Sequence, residues 1–253
     1  MEEKESFEAY ITKEIQKSGF PLEAFSSIIL DKFGWGITPH LLFFNSAKNC
    51  YNEIDIHASK ESSRKGFKEV TETLIIECKK QEKKPWVFFE QQEPNTDFRA
   101  LQIALDSDEQ PFERDFKKHY YHGKKPCAYH FPCFVKSGKP DVILDTVNHV
   151  IDSMAFCRNL ISRINEEYKL ARVQEVFYPV IVLSGKLFSA KILTNGKIEI
   201  TKSNHLQLKV SRAVEEPKLL ELTEDQTCFN FTKEYLIDIV RKDWFESFLK
   251  YFP

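Results

Sequence analysis

The stretch YNEIDIHASKESSRKGFKEVTETLIIECKK, residues 51–80, contains apolar runs that are interrupted by charged residues. Its first apolar run, EIDIHA, is interrupted by Asp55, and its last, LIIECKK, contains Glu77 and Lys79. Runs rich in β-branched and aliphatic residues predict strands. Charges inside such runs need solvent, a partner or a metal ion, because burying an unpaired charge is costly. The position of these three side chains in the predicted strands therefore matters for function.

Strand alternation predicts where the charged side chains point. Successive side chains of a strand point to opposite faces, so Glu77 and Lys79 share a face and lie roughly 7 Å apart along the strand. The same alternation groups Asp55 with Glu53 and His57. The opposite, apolar face is expected to carry Ile54, Ile56, Ala58, Leu74, Ile76 and Cys78. If the two strands pair, Asp55 and Glu77 converge beside Lys79.

Two converging carboxylates next to an ammonium group suit phosphate chemistry. Mg²⁺ prefers one or two carboxylates, with water and substrate phosphate filling the other positions. The ammonium of Lys79 could stabilise developing negative charge or orient a water that attacks phosphorus. The alternative is a solvated sheet face on which Glu77 and Lys79 form an incidental ion pair of small energetic value.

The segments before and after this stretch predict further elements in the first half of the chain. GFPLEAFSSIILDKFGW has Pro21 at the first helical position, apolar residues at helical spacing and Gly34 at the end, which predicts an amphipathic helix. Short β-like runs, HLLFFN before the stretch and PWVFFEQQ after it, predict a small sheet that follows the helix.

The second half of the chain predicts a long helix, hairpins and a short terminal helix. The helical pattern begins at Asp141, with Pro140 at its entrance. Turn signals at Ser184-Gly185 and at Asn195-Gly196 separate apolar strands. After the strand EYLIDIVRK, Asp243 is placed to cap a short helix. The order of helix, sheet, helix, sheet and helix predicts an α+β or mixed α/β fold without regular alternation.

Taken together, these motifs resemble the PD-(D/E)XK nuclease superfamily, which has a restriction-endonuclease-like fold. In that family an Asp lies in one strand of a hairpin, a Glu-x-Lys lies on the next strand, and a preceding helix often supplies a Glu. The resemblance assigns Asp55 and Glu77 as metal ligands and Lys79 as a catalytic residue. It matches Glu23 to the helix acid and makes the backbone carbonyl of Cys78 a further metal ligand.

The resemblance covers residues 20–90 and implies a metal-dependent nuclease that hydrolyses DNA with Mg²⁺ or Mn²⁺, in restriction, phage defence or repair. It implies a core sheet flanked by helices in residues 1–140. Residues 141–253 are expected to add a β-meander and helices, packed on that core as one continuous domain. Two alternatives stay open: an inactive nucleic-acid- or protein-binding module on the same fold, and a nuclease that acts on RNA. Glu23 could also serve only the dipole of its helix.

The distribution of charge supports a nucleic-acid partner, although the net charge is only −2. A locally basic segment can present a basic face on a neutral protein. The candidate phosphate contacts are Lys80, Arg114, Lys117, Lys118, Lys124 and Lys125. A solvated loop is the alternative for residues 114–139. In the same region a zinc site, less expected than an ordinary loop, would use His119, His122, Cys127, His130 and Cys133.

The remaining features predict a cytoplasmic protein. The N-terminus has no apolar core typical of a signal peptide, and no apolar run approaches the roughly 18 residues of a membrane span. The six cysteines are scattered without paired spacing, which favours reduced thiols over a disulfide framework. A homodimer is compatible with double-strand cleavage, but no sequence feature identifies a dimer face.

Overall fold

A computed structural model of the chain describes residues 6–45, 48–62, 70–94, 102–104, 126–131, 142–168, 174–222 and 226–252. Within these residues the helices are α1 (Phe7–Lys17), α2 (Phe20–Lys32), α3 (Val142–Tyr168) and α4 (Phe245–Leu249), the last preceded by a 3₁₀ turn at Lys242–Trp244. The first strands are β1 (Gly36–Asn45), β2 (Cys50–Ser62), β3 (Val70–Pro94), β4 (Gln102–Ala104) and β5 (Pro126–His130). The later strands are β6 (Gln174–Ile192), β7 (Ile198–Lys202), β8 (His205–Leu222) and β9 (Gln226–Arg241).

The strands form one mixed sheet. β1, β2 and β3 pair antiparallel in sequence order, and β3 then pairs parallel with β6. Pairings from β6 to β9, β9 to β8, β8 to β5 and β5 back to β3 close a ring of five strands. β4 and β7 each pair antiparallel with β6. The predicted α+β class is confirmed, and strands from both halves of the chain share the sheet.

Helices cover the sheet through two hydrophobic clusters. The first, here the α2 cluster, joins Leu22 and Leu30 of α2 to Ile76 of β3 and also contains Phe248 of α4. The second, the α3 cluster, contains apolar residues of α3 such as Met154, together with strand residues. Full burial of a large aliphatic or aromatic side chain contributes about 1.5–3 kcal/mol relative to exposure. The sheet therefore lies between α3 on one side and α2 together with α4 on the other.

The alternation of side chains along β2 changes near Asp55. Ile56 packs in the α2 cluster, whereas Ile54 packs in the α3 cluster. On the neighbouring strand, Pro39 pairs with Ile56 and Leu41 pairs with Ile54, and His40 stands between them at φ 53°. That left-handed backbone conformation is uncommon for a residue other than glycine. The prediction of one apolar face that includes both isoleucines is therefore wrong at Ile54.

The predicted turn at Ser184-Gly185 is wrong, because Gly185 lies inside β6 and faces Gln81 of β3. An ideal Cβ on Gly185 would lie 2.3 Å from the Gln81 carbonyl oxygen, so the glycine permits a close approach of two backbones. The turn at Asn195-Gly196 is confirmed: Gly196 has φ 78° and links β6 to β7.

The helix boundaries match part of the sequence prediction. α2 has Pro21 in its first turn and is followed by Gly34 at φ 77°, as predicted. α1, which precedes it, was not predicted; it has no buried residues. The predicted cap at Asp243 is wrong, since neither terminal helix has a side-chain cap bond and the Asp243 carboxylate accepts from Arg241. Pro140 lies outside the described residues.

Candidate functional site

Asp55 lies where the ladder between β2 and β3 gives way to a side-chain contact. In the described part of the chain the β2–β3 register runs to Ile56 and Ile76. Next to this pair, the backbone N–H of Cys78 donates to Oδ2 of Asp55 at 2.7 Å. The pKa of Asp55 is raised, mainly by burial, although this hydrogen bond favours the ionised form. The fold therefore fixes a carboxylate in a poorly solvated position.

Glu77 and Lys79 share a face of β3, as strand alternation predicted, and they form an ion pair there. Nζ of Lys79 is 2.6 Å from Oε1 of Glu77, and only 3% of Glu77 is exposed. Burial raises the pKa of Glu77, and the negative charge of Asp55 raises it further. Burial opposes charging of Lys79, but attraction to Glu77 outweighs it, so the Lys79 pKa is raised. Asp55, Glu77 and Lys79 therefore interact within one site.

Glu23 belongs to the same electrostatic environment. Burial raises its pKa most, followed by the negative charge of Asp55, while Lys79 acts in the opposite direction. The side chain also lies near its helix start, because an ideal Cβ on Gly19 would meet Oε1 of Glu23 at 2.9 Å. The structure therefore connects Glu23 with Asp55, and its position in the first turn of α2 is also favourable for the helix dipole.

Glu53 and two histidines, His40 and His149, border the site. Strand alternation had grouped Glu53 with Asp55, but neither histidine was assigned to the site from the sequence. The side chain of His40 contacts the Glu53 carboxylate through Nδ1, and its Nε2 is 3.7 Å from Oε2 of Glu23. His149 of α3 approaches from the other half of the chain: its Nε2 is 2.7 Å from the Glu53 carbonyl oxygen and 3.8 Å from Oε2 of Glu77. No local motif marks either histidine, because the tertiary fold creates both contacts.

The predicted backbone ligand, Cys78, is placed as its alternation requires. Its side chain packs in the α2 cluster with 5% exposure, on the face opposite Glu77. Burial raises the pKa of the thiol well above its usual value, and the nearby Asp55 charge adds to this. The role of the Cys78 carbonyl as a metal ligand stays a prediction.

Glu23, Asp55 and Glu77 suit a metal ion by the chemistry of their carboxylates, although the described residues contain no complete set of ligands. In the ranges that the structure describes, no three His, Cys, Asp or Glu side chains are arranged to hold a metal ion. Asp55 is bound to the Cys78 N–H, and Glu77 is neutralised by Lys79. Even so, Glu23, Asp55 and Glu77 are oxygen donors, and the charge of Asp55 raises the pKa of both glutamates, a repulsion that a hard divalent cation would relieve. The donor set therefore fits Mg²⁺ or Mn²⁺ in type and charge.

The predicted basic and zinc-binding segments are only partly described. Lys80 is exposed, and its ammonium donates to the carbonyl of Gln16. Cys127 is buried in β5, where burial raises the pKa of its thiol to about 12. The side chain of His130 and the remaining calls lie outside the described residues: Arg114, Lys117, Lys118, His119, His122, Lys124, Lys125 and Cys133. The described free cysteines are Cys50, Cys78, Cys127 and Cys157.

Comparison with known proteins leaves the site to be judged on its own geometry. No protein-family model matches the chain, and no curated protein or solved structure matches it either. Among the described helices, none is long and apolar enough to cross a membrane.

Proposed function

We propose that the chain is a metal-dependent nuclease that hydrolyses DNA phosphodiester bonds. The observation that carries the proposal is the meeting of Asp55, Glu77 and Lys79 at the end of the β2–β3 ladder, with Glu23 of α2 in their electrostatic field. The location of these residues on a hairpin and a preceding helix agrees with the resemblance to the PD-(D/E)XK superfamily. Roles in restriction, phage defence or repair are consistent with this activity.

The proposed reaction divides the site into metal ligands, a catalytic lysine and a backbone N–H that positions one ligand. Asp55 and Glu77 would hold Mg²⁺ or Mn²⁺, assisted by Glu23 and the Cys78 carbonyl. A bound divalent ion would neutralise phosphate charge and lower the pKa of a coordinated water. Lys79, two residues from Glu77 on the same face of β3, orients the attacking water and stabilises negative charge on the phosphate oxygens. The N–H of Cys78 keeps the Asp55 carboxylate in place.

The activity can be tested with two variants that each remove one charge from the site and with one matched control. Purified wild-type protein should nick or degrade DNA with Mg²⁺ or Mn²⁺, whereas Asp55→Asn and Lys79→Gln should lower the rate by about 10²–10³-fold. Glu90→Gln is the control, because Glu90 also lies on β3 and is paired with a lysine, Lys191, at 3.2 Å. Thermal unfolding would verify that each variant is folded. Equal cleavage by all four proteins would contradict the proposed roles.

A second candidate is an inactive nucleic-acid- or protein-binding module. This candidate is supported by the ion pair between Glu77 and Lys79, which occupies a predicted metal ligand. It is also supported by the finding that the described residues contain no group of three side chains arranged to hold a metal ion. Calorimetry with Mn²⁺ discriminates between the two candidates. The nuclease requires metal binding that Glu77→Gln weakens, whereas the inactive module requires no metal binding at this site. Competition between DNA and RNA substrates would separate the DNA nuclease from one directed at RNA.

A further inference from the structure

A bulge in β3 lies directly after the proposed catalytic residues. Gln81 of β3 pairs with Gly185 of β6, and Trp86 then pairs with Leu187. The residues between these pairs are 82–85 on β3 and only Lys186 on β6, so β3 has the longer connection. Residues 82–85, here called the β3 bulge, are exposed, while the following Trp86 is buried.

The local sequence explains why β3 has a bulge at this point. Before the bulge, the contact between Gly185 and the Gln81 carbonyl leaves no room for a side chain between the strands. Within it, Pro85 has no backbone N–H for a ladder bond. After it, the buried indole of Trp86 anchors the strand in the α3 cluster. Bulges next to active sites often redirect side chains.

The bulge and its surroundings are strongly basic. Lys83 and Lys84 of the bulge are exposed, as are Lys80 before it and Lys186 opposite it. The only acid within the bulge is Glu82, whose carboxylate is 3.8 Å from the Lys80 ammonium. By the rise of a strand, Lys84 lies at most roughly 17 Å from Lys79 along β3.

We infer that the β3 bulge together with Lys186 is a phosphate-binding strip that holds the nucleic-acid backbone beside the reacting phosphate. The inference rests on the proposed function, since it places the scissile bond at Asp55 and Glu77. Exposed lysines that follow directly on a phosphate-directed lysine complement a polyanion, and contacts to phosphates position a nucleic acid without reading its sequence. An acidic protein partner is the competing occupant.

The test compares two double charge reversals of equal size. Lys83→Glu with Lys84→Glu changes the strip, whereas Lys197→Glu with Lys202→Glu changes two exposed lysines at the β6–β7 hairpin. Binding of a fluorescent 20-bp duplex would be measured by anisotropy without divalent ions, so that no cleavage occurs, between 50 and 200 mM salt. The strip variant should bind at least about tenfold more weakly at low salt, with its log–log salt slope reduced by about 1–2, because up to two phosphate contacts are lost. The hairpin variant should retain wild-type binding.

Three outcomes would overturn the inference. The first is wild-type affinity in the strip variant, and the second is an equal loss in the hairpin variant, which would indicate only net charge. In the third, polyglutamate displaces the duplex at an equal concentration of charges, which would indicate an acidic protein partner. A separate cleavage assay with Mg²⁺ distinguishes failure of the proposed function. Duplex binding that only the strip variant weakens, with no cleavage by wild type, would contradict the nuclease while leaving the phosphate-binding strip in place.

Discussion

Asp55 occupies a residue position where regular strand pairing changes on both sides of β2. Towards β1, the pairs on either side of it are separated by His40 with its left-handed backbone. Towards β3, its carboxylate receives the Cys78 N–H. In a regular ladder a backbone carbonyl would accept the Cys78 N–H, whereas here the Asp55 carboxylate accepts it. The result is a partly buried carboxylate that a backbone N–H holds in place.

Replacement of Asp55 by asparagine should stabilise the metal-free protein at neutral pH. The raised pKa means that folded protein binds the Asp55 proton more tightly than unfolded protein. The stability linked to this proton is complete below the ordinary aspartate pKa of about 3.9 and is lost as pH rises through the higher, folded-state pKa. Asparagine is neutral throughout and keeps an oxygen for the Cys78 N–H.

Melting temperatures of wild type and Asp55→Asn, measured in EDTA from pH 4 to pH 8, would check this expectation. The difference should move in favour of the variant as pH rises. Asp152→Asn is a useful opposite control, since burial is outweighed by the hydrogen bonds from Arg212 and Lys48 and the pKa of Asp152 is lowered. Its difference from wild type should move against the variant as pH rises. A pH-independent difference for Asp55→Asn would contradict the assigned direction.

The pairing of β3 with β6 includes one close contact between their backbones, at Gly185 and Gln81. Gly185→Ala should destabilise the fold by about 1–3 kcal/mol, because its Cβ would overlap the Gln81 carbonyl and force the strands apart. Urea unfolding would measure the change. Gly36→Ala is the matched control in a strand, since its Cβ would have ordinary contacts, the nearest at 3.5 Å. If both alanine variants are equally stable, the close approach is not a constraint on the sheet.

Local patterns predicted the elements whose boundaries depend on nearby residues. Pro21 and Gly34 marked α2, and alternation separated Glu77 from Cys78, because these signals depend on backbone conformation and strand geometry. The Ser184-Gly185 signal failed because the same glycine that favours a turn also permits the approach of β3. The predicted face of Ile54 was wrong, because the change of face along β2 depends on the pairing with β1.

In the complete chain, β6 lies beside β3 although three described elements, β4, β5 and α3, separate them in sequence. Separate fragments 1–140 and 141–253 should therefore fail to unfold cooperatively, since each would expose an unpaired edge of the parallel β3–β6 pair. Thermal melts of the two fragments and of the intact chain would test this. A cooperative transition in either fragment alone would show that the halves are independent folding units.

The site also depends on the whole molecule, which limits what its sequence motif can reveal. Asp55, Glu77 and Lys79 could be selected from one stretch because two neighbouring strands carry them. His149 could not, since α3 carries it to Glu77 from a distant part of the chain. The same limitation applies to Lys186, which joins the β3 bulge only through the register of β6. The motif predicted the central charges, and the tertiary fold determined their neighbours.

The parallel pair of β3 and β6 also affects how the protein emerges during synthesis. β3 leaves the ribosome long before β6 is translated, and at roughly 5–20 residues per second the delay lasts several seconds or more. During this interval the apolar run before Glu77 has no β6 beside it, so its edge is available to other nascent chains. The strand that carries the proposed catalytic residues is therefore one that a chaperone would protect during translation.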